Sequence, residues 1–277
     1  MINRLIATLL IRNGVVVQTN KFNPTNYIGN AIIAVDFFNS WAVDEICILE
    51  ISQNKDYLEK FYSIVDELSK RCFVPLSVGG KINSIEDAQK YFKIGADKVC
   101  INTGGFNNKN LIKSLSNEFG SQAIIMSIDV YNDKKFPSNY GIATNNGKKK
   151  QNKDAVEWVS ESIENGAGEL LLNSIEHDGN RNGYNIEFIK TIRSKIKVPI
   201  IAMGGVGEWL HLVKGINAGA QSVAAGNIFH FTEHSTKKAK EFMIKSGIDM
   251  RPTYFYQLNT SRKVRDILHP ISNKKEK

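Results

Sequence analysis

The sequence predicts an α/β chain that closes into one (β/α)8 (TIM) barrel built from two similar half-barrels. Three observations carry that reading. Apolar, β-rich runs alternate eight times with segments of helical period. A unit that runs Val-Pro, apolar strand, Gly-Gly, helix, Gly-Ala, strand occurs at 74–102 and again at 198–227. Pro75 and Pro199 lie 124 positions apart, Gly79 and Gly204 125, and Gly95 and Gly219 124; a self-similarity on this scale marks two stacked halves. The third observation is size: 277 residues with 42% apolar content bury one large core, and about 250 residues is ordinary for such a barrel. Residues 1–249 are expected to form the barrel, and 250–277, which lack clear periodicity, a C-terminal tail.

In order, 5–11 is an apolar strand and Arg12-Asn13-Gly14 a turn. Residues 15–30 mix polar and aromatic side chains and read as a long loop, a mobile lid. Helical spacing follows at 31–42, a second strand at 46–51, and helical period at 56–71. Strands three and four are 74–78 and 98–101, with a helix at 85–94 between them and another at 110–119 behind. Residues 123–130 form a continuous apolar strand, the fifth. The polar, basic stretch 131–153 reads as the longest irregular insertion. A helix at 155–165, strand six at 170–174 and a helix at 186–196 lead into the second copy of the repeated unit, which supplies strands seven and eight. An amphipathic helix at 237–246 closes the pattern.

Composition narrows the partners. The formal net charge of +8 favours anionic ligands or an acidic protein partner. Much of that charge sits in Lys148-Lys149-Lys150 and at 274–277, without an aromatic-interleaved basic stripe, which argues against nucleic acid. No apolar stretch reaches the roughly 18 residues of a membrane span, and residues 1–12 are too short for a signal peptide. Cys47, Cys72 and Cys100 form no CxxC pair, so a reducing, cytoplasmic setting is expected, with no metal site and no cofactor.

Two ends of the barrel carry candidate chemistry. Backbone N–H groups freed at Gly79-Gly80 and Gly204-Gly205, facing a helix N-terminus, make an anion site, although a Gly-Gly pair also serves as a plain tight turn. Two such sites on one face suit a long substrate with a phosphate at each end. Asp129 stands at the end of the fifth strand in SIDV. A carboxylate at the mouth of an apolar barrel is desolvated and suited to general acid or base work; a solvated or paired strand-end Asp is the alternative. Asp178-Gly179 follows strand six, where Asp-Gly is also a common turn, and Asn102-Thr103 follows strand four. Across from Asp129, on strand one, stands Leu10. At the opposite ends of the strands, Arg4, Glu45, Lys98 and Glu169 alternate in sign, and a ring of ion pairs across the barrel floor is expected.

FGSQA at 119–123, SIDV at 127–130, GAGEL at 166–170, DGNRNGY at 178–184, GADKVCINT at 95–103 and FHF at 229–231 carry a resemblance. Over residues 3–251 the sequence resembles the cyclase subunit of imidazole glycerol phosphate synthase, the HisF family. That family is a two-halved barrel that takes ammonia from a glutaminase subunit (HisH-like) docked on its floor and uses it at the top. The resemblance implies that Arg4, Glu45, Lys98 and Glu169 form the ammonia gate and that Asp129 is one of two catalytic aspartates. It places phosphate binding at Gly79, Gly80, Asn102, Thr103, Asp178, Gly179, Gly204, Gly205, Ala225 and Gly226.

Three positions depart from the family pattern. Leu10 stands where the other catalytic Asp is expected, Gln18 replaces a Lys, and Lys81 replaces a third Gly. Leucine carries no proton, and losing a positioned acid or base costs about 10²–10⁴ in rate. The run around Leu10 and the IGN, AVDFFN and VDE segments within 28–45 resemble a paralogous branch. Its members accompany a glutaminase-like subunit and an ATP-dependent sugar amidotransferase in turning an acetamido into an acetamidino group on surface glycans. The first expectation is therefore an ammonia-conducting subunit of acetamidino-sugar biosynthesis. The second is a working histidine-pathway cyclase that tolerates Leu10, and the third a non-catalytic scaffold or phosphosugar-binding module.

Overall fold

A computed structural model describes residues 2–40, 42–230 and 234–252. The first half runs β1 (Arg4–Arg12), β2 (Val15–Asn20), β3 (Asn23–Gly29), α1 (Ala31–Ser40), β4 (Glu45–Glu50), α2 (Leu58–Ser69), β5 (Leu76–Gly79), α3 (Ile85–Lys93), β6 (Lys98–Ile101), α4 (Thr103–Asn107) and α5 (Lys109–Phe119). The second runs β7 (Ile124–Asn132), β8 (Tyr140–Thr144), β9 (Lys149–Asp154), α6 (Ala155–Glu164), β10 (Glu169–Ser174), α7 (Ile186–Arg193), β11 (Ile200–Met203), α8 (Trp209–Asn217), β12 (Ser222–Ala225) and α9 (Ser235–Lys245). Most of the expected tail, and Phe231 of the FHF segment, lie outside the described residues. Among the described residues no helix is long and apolar enough to cross a membrane.

Eight strands pair in parallel in the order β1-β4-β5-β6-β7-β10-β11-β12, and β12 pairs back onto β1. The sheet is a closed (β/α)8 barrel. Met250, the first residue of the expected tail, is buried and bridges to Asn3 beside the start of β1.

Two stretches differ from the sequence reading. Residues 15–30 are not a loop but a β-hairpin: β2 pairs antiparallel with β1, and β3 with β2. Asn13 and Gly14 both have positive φ, the geometry a tight primed turn demands and Asn-Gly supplies. The insertion at 131–153 is likewise a hairpin, with β8 antiparallel to β7 and β9 to β8. The signal was weak because β3 and β9 are largely exposed and carry no alternation of apolar and polar residues. The two hairpins follow barrel strands one and five, so each half of the barrel carries one at the same place.

Apolar packing splits in two. The larger cluster lies between the strands and the helices, and includes Phe61, Tyr91, Trp158 and Phe188. A smaller one, with Ile6, Cys47, Cys100, Ile125, Leu171 and Ile201, fills the lumen. Side chains two apart on a strand share a face, so Arg4, Ile6, Thr8 and Leu10 climb the inside of β1, from floor to top.

One charged pair is sealed within the shell. Lys240 of α9 is 1% exposed; its Nζ lies 2.5 Å from Asp44 Oδ1, and Asp44 Oδ2 accepts the Leu5 N–H at 2.9 Å. The pair ties the last described helix to the strands where the barrel begins. Lys240→Met strands a buried carboxylate and is expected to lower the unfolding free energy by about 3–5 kcal/mol. The double variant with Asp44→Asn should recover more than half of that loss in urea titrations; equal losses would remove the pair from the closure of the barrel.

Candidate functional site

At the floor, the first lumen-facing residues of β1, β4, β6 and β10 meet. Arg4 bonds to Glu45 at 2.6 Å and also to Glu169, while Lys98 lies 3.1 Å from Glu45 and 2.8 Å from Glu169. Four charges of alternating sign thus close a ring across the barrel axis. Ser77 Oγ donates a further bond to Glu45 at 2.7 Å. Desolvation opposes the Arg4 charge, yet the fields of Glu169 and Glu45 hold its guanidinium above the ordinary arginine value. The carboxylates are almost wholly buried whereas the cations remain 18–23% exposed, so the ring is anchored from within and reaches solvent through its cations.

Between floor and top the lumen is mostly apolar. Thr8 Oγ1 is buried there, and Ser222 Oγ at the level of Arg4, each without a hydrogen-bond partner among the described residues.

At the top, the strand ends and both hairpins enclose a cavity of about 460 Å³. Gly80, Asn102, Thr103, Asp129 and Asp178 line it. Beside it is a smaller cavity of about 40 Å³, lined by Asp178, Gly179, Gly204, Gly205, Ala225 and Gly226. Leu10, Met203 and Asp178 border both. Nine of the ten residues singled out for phosphate therefore face one continuous depression. Gly79 does not: it ends β5, where an added Cβ would stand 2.7 Å from the Cys100 carbonyl oxygen, and its role is close packing of strands.

Local geometry explains two of the glycines. Gly179 has φ +72°, and a Cβ there would meet the Thr19 carbonyl oxygen at 2.3 Å, where the β2–β3 hairpin crosses it. Gly205, at φ +94°, lets the loops after β10 and β11 touch, with the Gly183 carbonyl oxygen 2.2 Å from where a Cβ would be. Asp178 fastens the hairpin from below. Its Oδ2 accepts the Phe22 N–H at 2.9 Å and its carbonyl the Lys21 N–H at 2.9 Å, so it holds two residues at positive φ that neither would favour alone. Gln18 lines neither cavity; its Oε1 accepts from Asn26 at 3.1 Å and joins β2 to β3.

Asp129 is the acid at the centre of this face. Asn102 Nδ2 donates to its Oδ2 at 3.1 Å and Ser127 Oγ to its Oδ1 at 3.2 Å. Burial pushes the carboxyl up to about 7; Ser127 opposes the shift and the field of Asp178 adds to it. A group poised near neutrality can both accept and return a proton. Leu10 pairs with Val17 of the first hairpin as Asp129 pairs with Ala143 of the second. The half-barrel mate of the acid is thus a hydrocarbon facing the same cavity.

Several lining residues carried no signal in the sequence reading. Asn173 sits level with Asp129 on β10, with its Oδ1 buried and unpartnered; the polar break at the end of the apolar ELLLNS run was its only mark. Arg12 and Glu50, at the ends of β1 and β4, and Lys148, in the turn between β8 and β9, also line the large cavity.

Comparison with known proteins decides the family. Residues 4–235 match the family model described as "Histidine biosynthesis protein". The imidazole glycerol phosphate synthase subunit HisF of Chloroherpeton thalassium is 38% identical over 249 residues, covering 90% of this chain and 98% of that one. The chain belongs to the HisF-like cyclase-subunit family. The HisF subunit of Exiguobacterium sibiricum is 33% identical over 251 residues, 91% of this chain and all of its own. A Vibrio vulnificus protein provisionally named imidazole glycerol phosphate synthase subunit hisF2 is 39% identical over 249 residues, 90% of each chain.

In this HisF-like barrel the raised Asp129 carries a stability cost with a definite sign. The folded state holds the proton more tightly than the unfolded chain, whose value is 3.8, so stability falls as pH rises from about 4 to about 7 and the full cost remains above. Asp129→Asn keeps the shape without the charge. It should be more stable than the parent at pH 8, by on the order of 2–4 kcal/mol, and no more stable at pH 4. A gain of equal size at both pH values in paired urea titrations would show that Asp129 does not titrate in this range.

Proposed function

We propose that this chain is the ammonia-accepting barrel of a glutamine-dependent imidazole glycerol phosphate synthase. A glutaminase subunit seated on the floor releases ammonia, which passes the ring of Arg4, Glu45, Lys98 and Glu169 and rises through the lumen. In the top cavity it meets a phosphorylated substrate. The observation that carries the reading is the alignment of three parts on one axis: an ion-pair ring at one mouth with the unpartnered Ser222 hydroxyl beside it, an apolar bore with the unpartnered Thr8 hydroxyl, and a proton-exchanging carboxyl at the other mouth. The bore excludes ions by their desolvation cost while admitting a small neutral molecule. Thr8 and Ser222 offer that molecule hydrogen bonds on the way.

At the top, ammonia attacks the formimino carbon of the substrate, the bond to the aminoimidazole carboxamide ribonucleotide breaks and that amine departs, and the new nitrogen condenses with the ketone of the ribulosyl chain, losing water, to close an imidazole. Asp129, about half ionised near neutrality, takes the proton of the attacking nitrogen and returns it to the departing one. Asn102 and Ser127 hold the carboxyl in place. The glycine-rich edges of both cavities, with Asn102 and Thr103, take the phosphates. The names of the relatives support this reaction.

A specific observation favours a second reading. Leu10 leaves the acid pair incomplete, which suits a barrel that keeps the conduit and hands ammonia to an acetamidino-sugar system with an ATP-dependent amidotransferase.

Turnover of phosphoribulosyl-formimino aminoimidazole carboxamide ribonucleotide separates the two. Ammonium salt at high pH replaces the glutaminase in that assay. The synthase reading expects product at a rate reduced about 10²–10⁴-fold from that of a complete acid pair, and a gain with Leu10→Asp. No product from either protein would sink the cyclase reading.

The floor ring has its own test. With a glutaminase partner present, Lys98→Ala should lower the product formed per glutamine consumed while the far-UV circular dichroism is kept. An unchanged ratio would remove the ring from the path of ammonia.

A further inference from the structure

Two thiols in the bore have no part in the chemistry proposed for the top cavity. Side chains two apart on a strand share a face, so Cys47 is the next inward residue above Glu45 on β4, and Cys100 the next above Lys98 on β6. Glu45 and Lys98 lie 3.1 Å apart in the floor ring, and one step up the same two strands the facing pair is Cys47 and Cys100. Both belong to the lumen cluster, 5% and 4% exposed. β5 runs between them, with Ser77 level with Cys47 and Gly79 level with Cys100. Neither stands in the way: Ser77 Oγ turns to Glu45, and Gly79 has no side chain.

The cysteines are free. A disulfide between them is out of reach, because two strand spacings part the backbones by about 9 Å or more and a disulfide spans at most about 7 Å between Cα atoms. Burial pushes both thiols up, so each holds its proton and neither is a ready nucleophile. After burial, the field of Cys47 is the next cause acting on Cys100, as expected of neighbouring sulfurs. On Cys47 the field of Lys98 acts the other way and favours the thiolate. A third soft atom is at hand. Met203 packs in the same cluster and lines the large top cavity together with Cys100, which gives the pair an approach from above.

Counting donors decides what such a pair can hold. Among the described residues no three His, Cys, Asp or Glu side chains are placed to hold a metal ion together, which excludes tetrahedral zinc and the hard cations that need six or more oxygens. Two thiolates face to face suit a soft ion that takes two ligands in line, and thiolate with thioether is the donor set that selects Cu(I). With metal–sulfur bonds of about 2.3 Å, as in zinc thiolates, the ion bridges sulfurs roughly 4.6 Å apart, a gap that no disulfide closes.

We propose that Cys47 and Cys100 form a two-coordinate site across the bore for a soft monovalent cation, Cu(I) or its analogue Ag(I), with the Met203 thioether alongside. On binding, two S–H bonds break, two sulfur–metal bonds form and two protons leave to solvent; no electron is transferred. The complex carries one negative charge, which Lys98 below it answers. Three carboxylates act against that charge. Glu45 and Glu169 are balanced by Arg4 and Lys98 within the ring, and Asp129 is about half protonated near neutrality. An ion there lies on the route proposed for ammonia, between the floor ring and the top cavity, yet the site stands whether or not that route is used.

Calorimetric titration of the full chain with Ag(I) in chloride-free buffer tests it, in a Cys72→Ser background so that the half-buried third thiol takes no part. One equivalent should bind tightly. Cys47→Ser and Cys100→Ser, whose hydroxyls fit the same space, should each weaken it at least about 100-fold, the gain that two ligands on one frame have over one. X-ray absorption of the loaded protein should show silver with sulfur neighbours only. Single variants that keep the affinity within about tenfold of the parent, or two equivalents bound by independent thiols, would overturn the proposal. Far-UV circular dichroism checks the fold of each variant, and Cys47→Ala or Cys100→Ala replaces a serine variant that fails that check. No turnover is read, so the failure of the ammonia reading and the failure of the metal site are separate results.

Discussion

Everything else in this protein depends on the closure of the parallel sheet. A parallel strand satisfies its backbone only when flanked on both sides, and eight strands achieve this by pairing β12 back onto β1. Once closed, alternate side chains of every strand have nowhere to go but the lumen. Polar residues at the two ends of the strands are thereby gathered into two groups, one around each mouth. The bore between them is filled by hydrocarbon and thiol.

The two mouths resolve the same electrostatic problem in opposite ways. Four charges brought together at the floor would each be costly to bury alone; in alternating order each has two opposite neighbours, and the cations keep contact with water. At the top Asp129 has no salt-bridge partner among the described residues. Its burial is answered by proton uptake near neutrality rather than by pairing, with two neutral donors, Asn102 and Ser127, on its oxygens. One end is therefore rigid in charge and the other exchanges protons. On the proposed function, that division is what suits the barrel to carrying a neutral molecule from one face to the other.

The hairpins after β1 and β7 give the top face its walls. Asp178 secures the first through two backbone N–H groups held at positive φ, and Asn145 and Asn146 fasten the second to Thr103 and Ile51. The Asn145 and Asn146 bonds also bring Lys148 to the lining of the large cavity. Elements that read as loose connections are what shape the charge of the site.

The alternation of eight strands with helices, the half-barrel repeat, a strand-end acid at Asp129 with Leu10 at the matching place of the other half, and the four charges of the floor were all legible in the residues. Each is a local pattern or a spacing along the chain, and the period of a buried strand or an amphipathic helix is set by the backbone that carries it. What only the tertiary structure decided is which distant groups meet. The hairpins escaped notice because their outer strands bury little and owe their order to the strand beside them. The withdrawal of Gly79 into packing, the pairing of Lys240 with Asp44 and the raised proton affinity of Asp129 are of the same kind. Each depends on desolvation and distance summed over neighbours from many strands, and no window of sequence contains those neighbours.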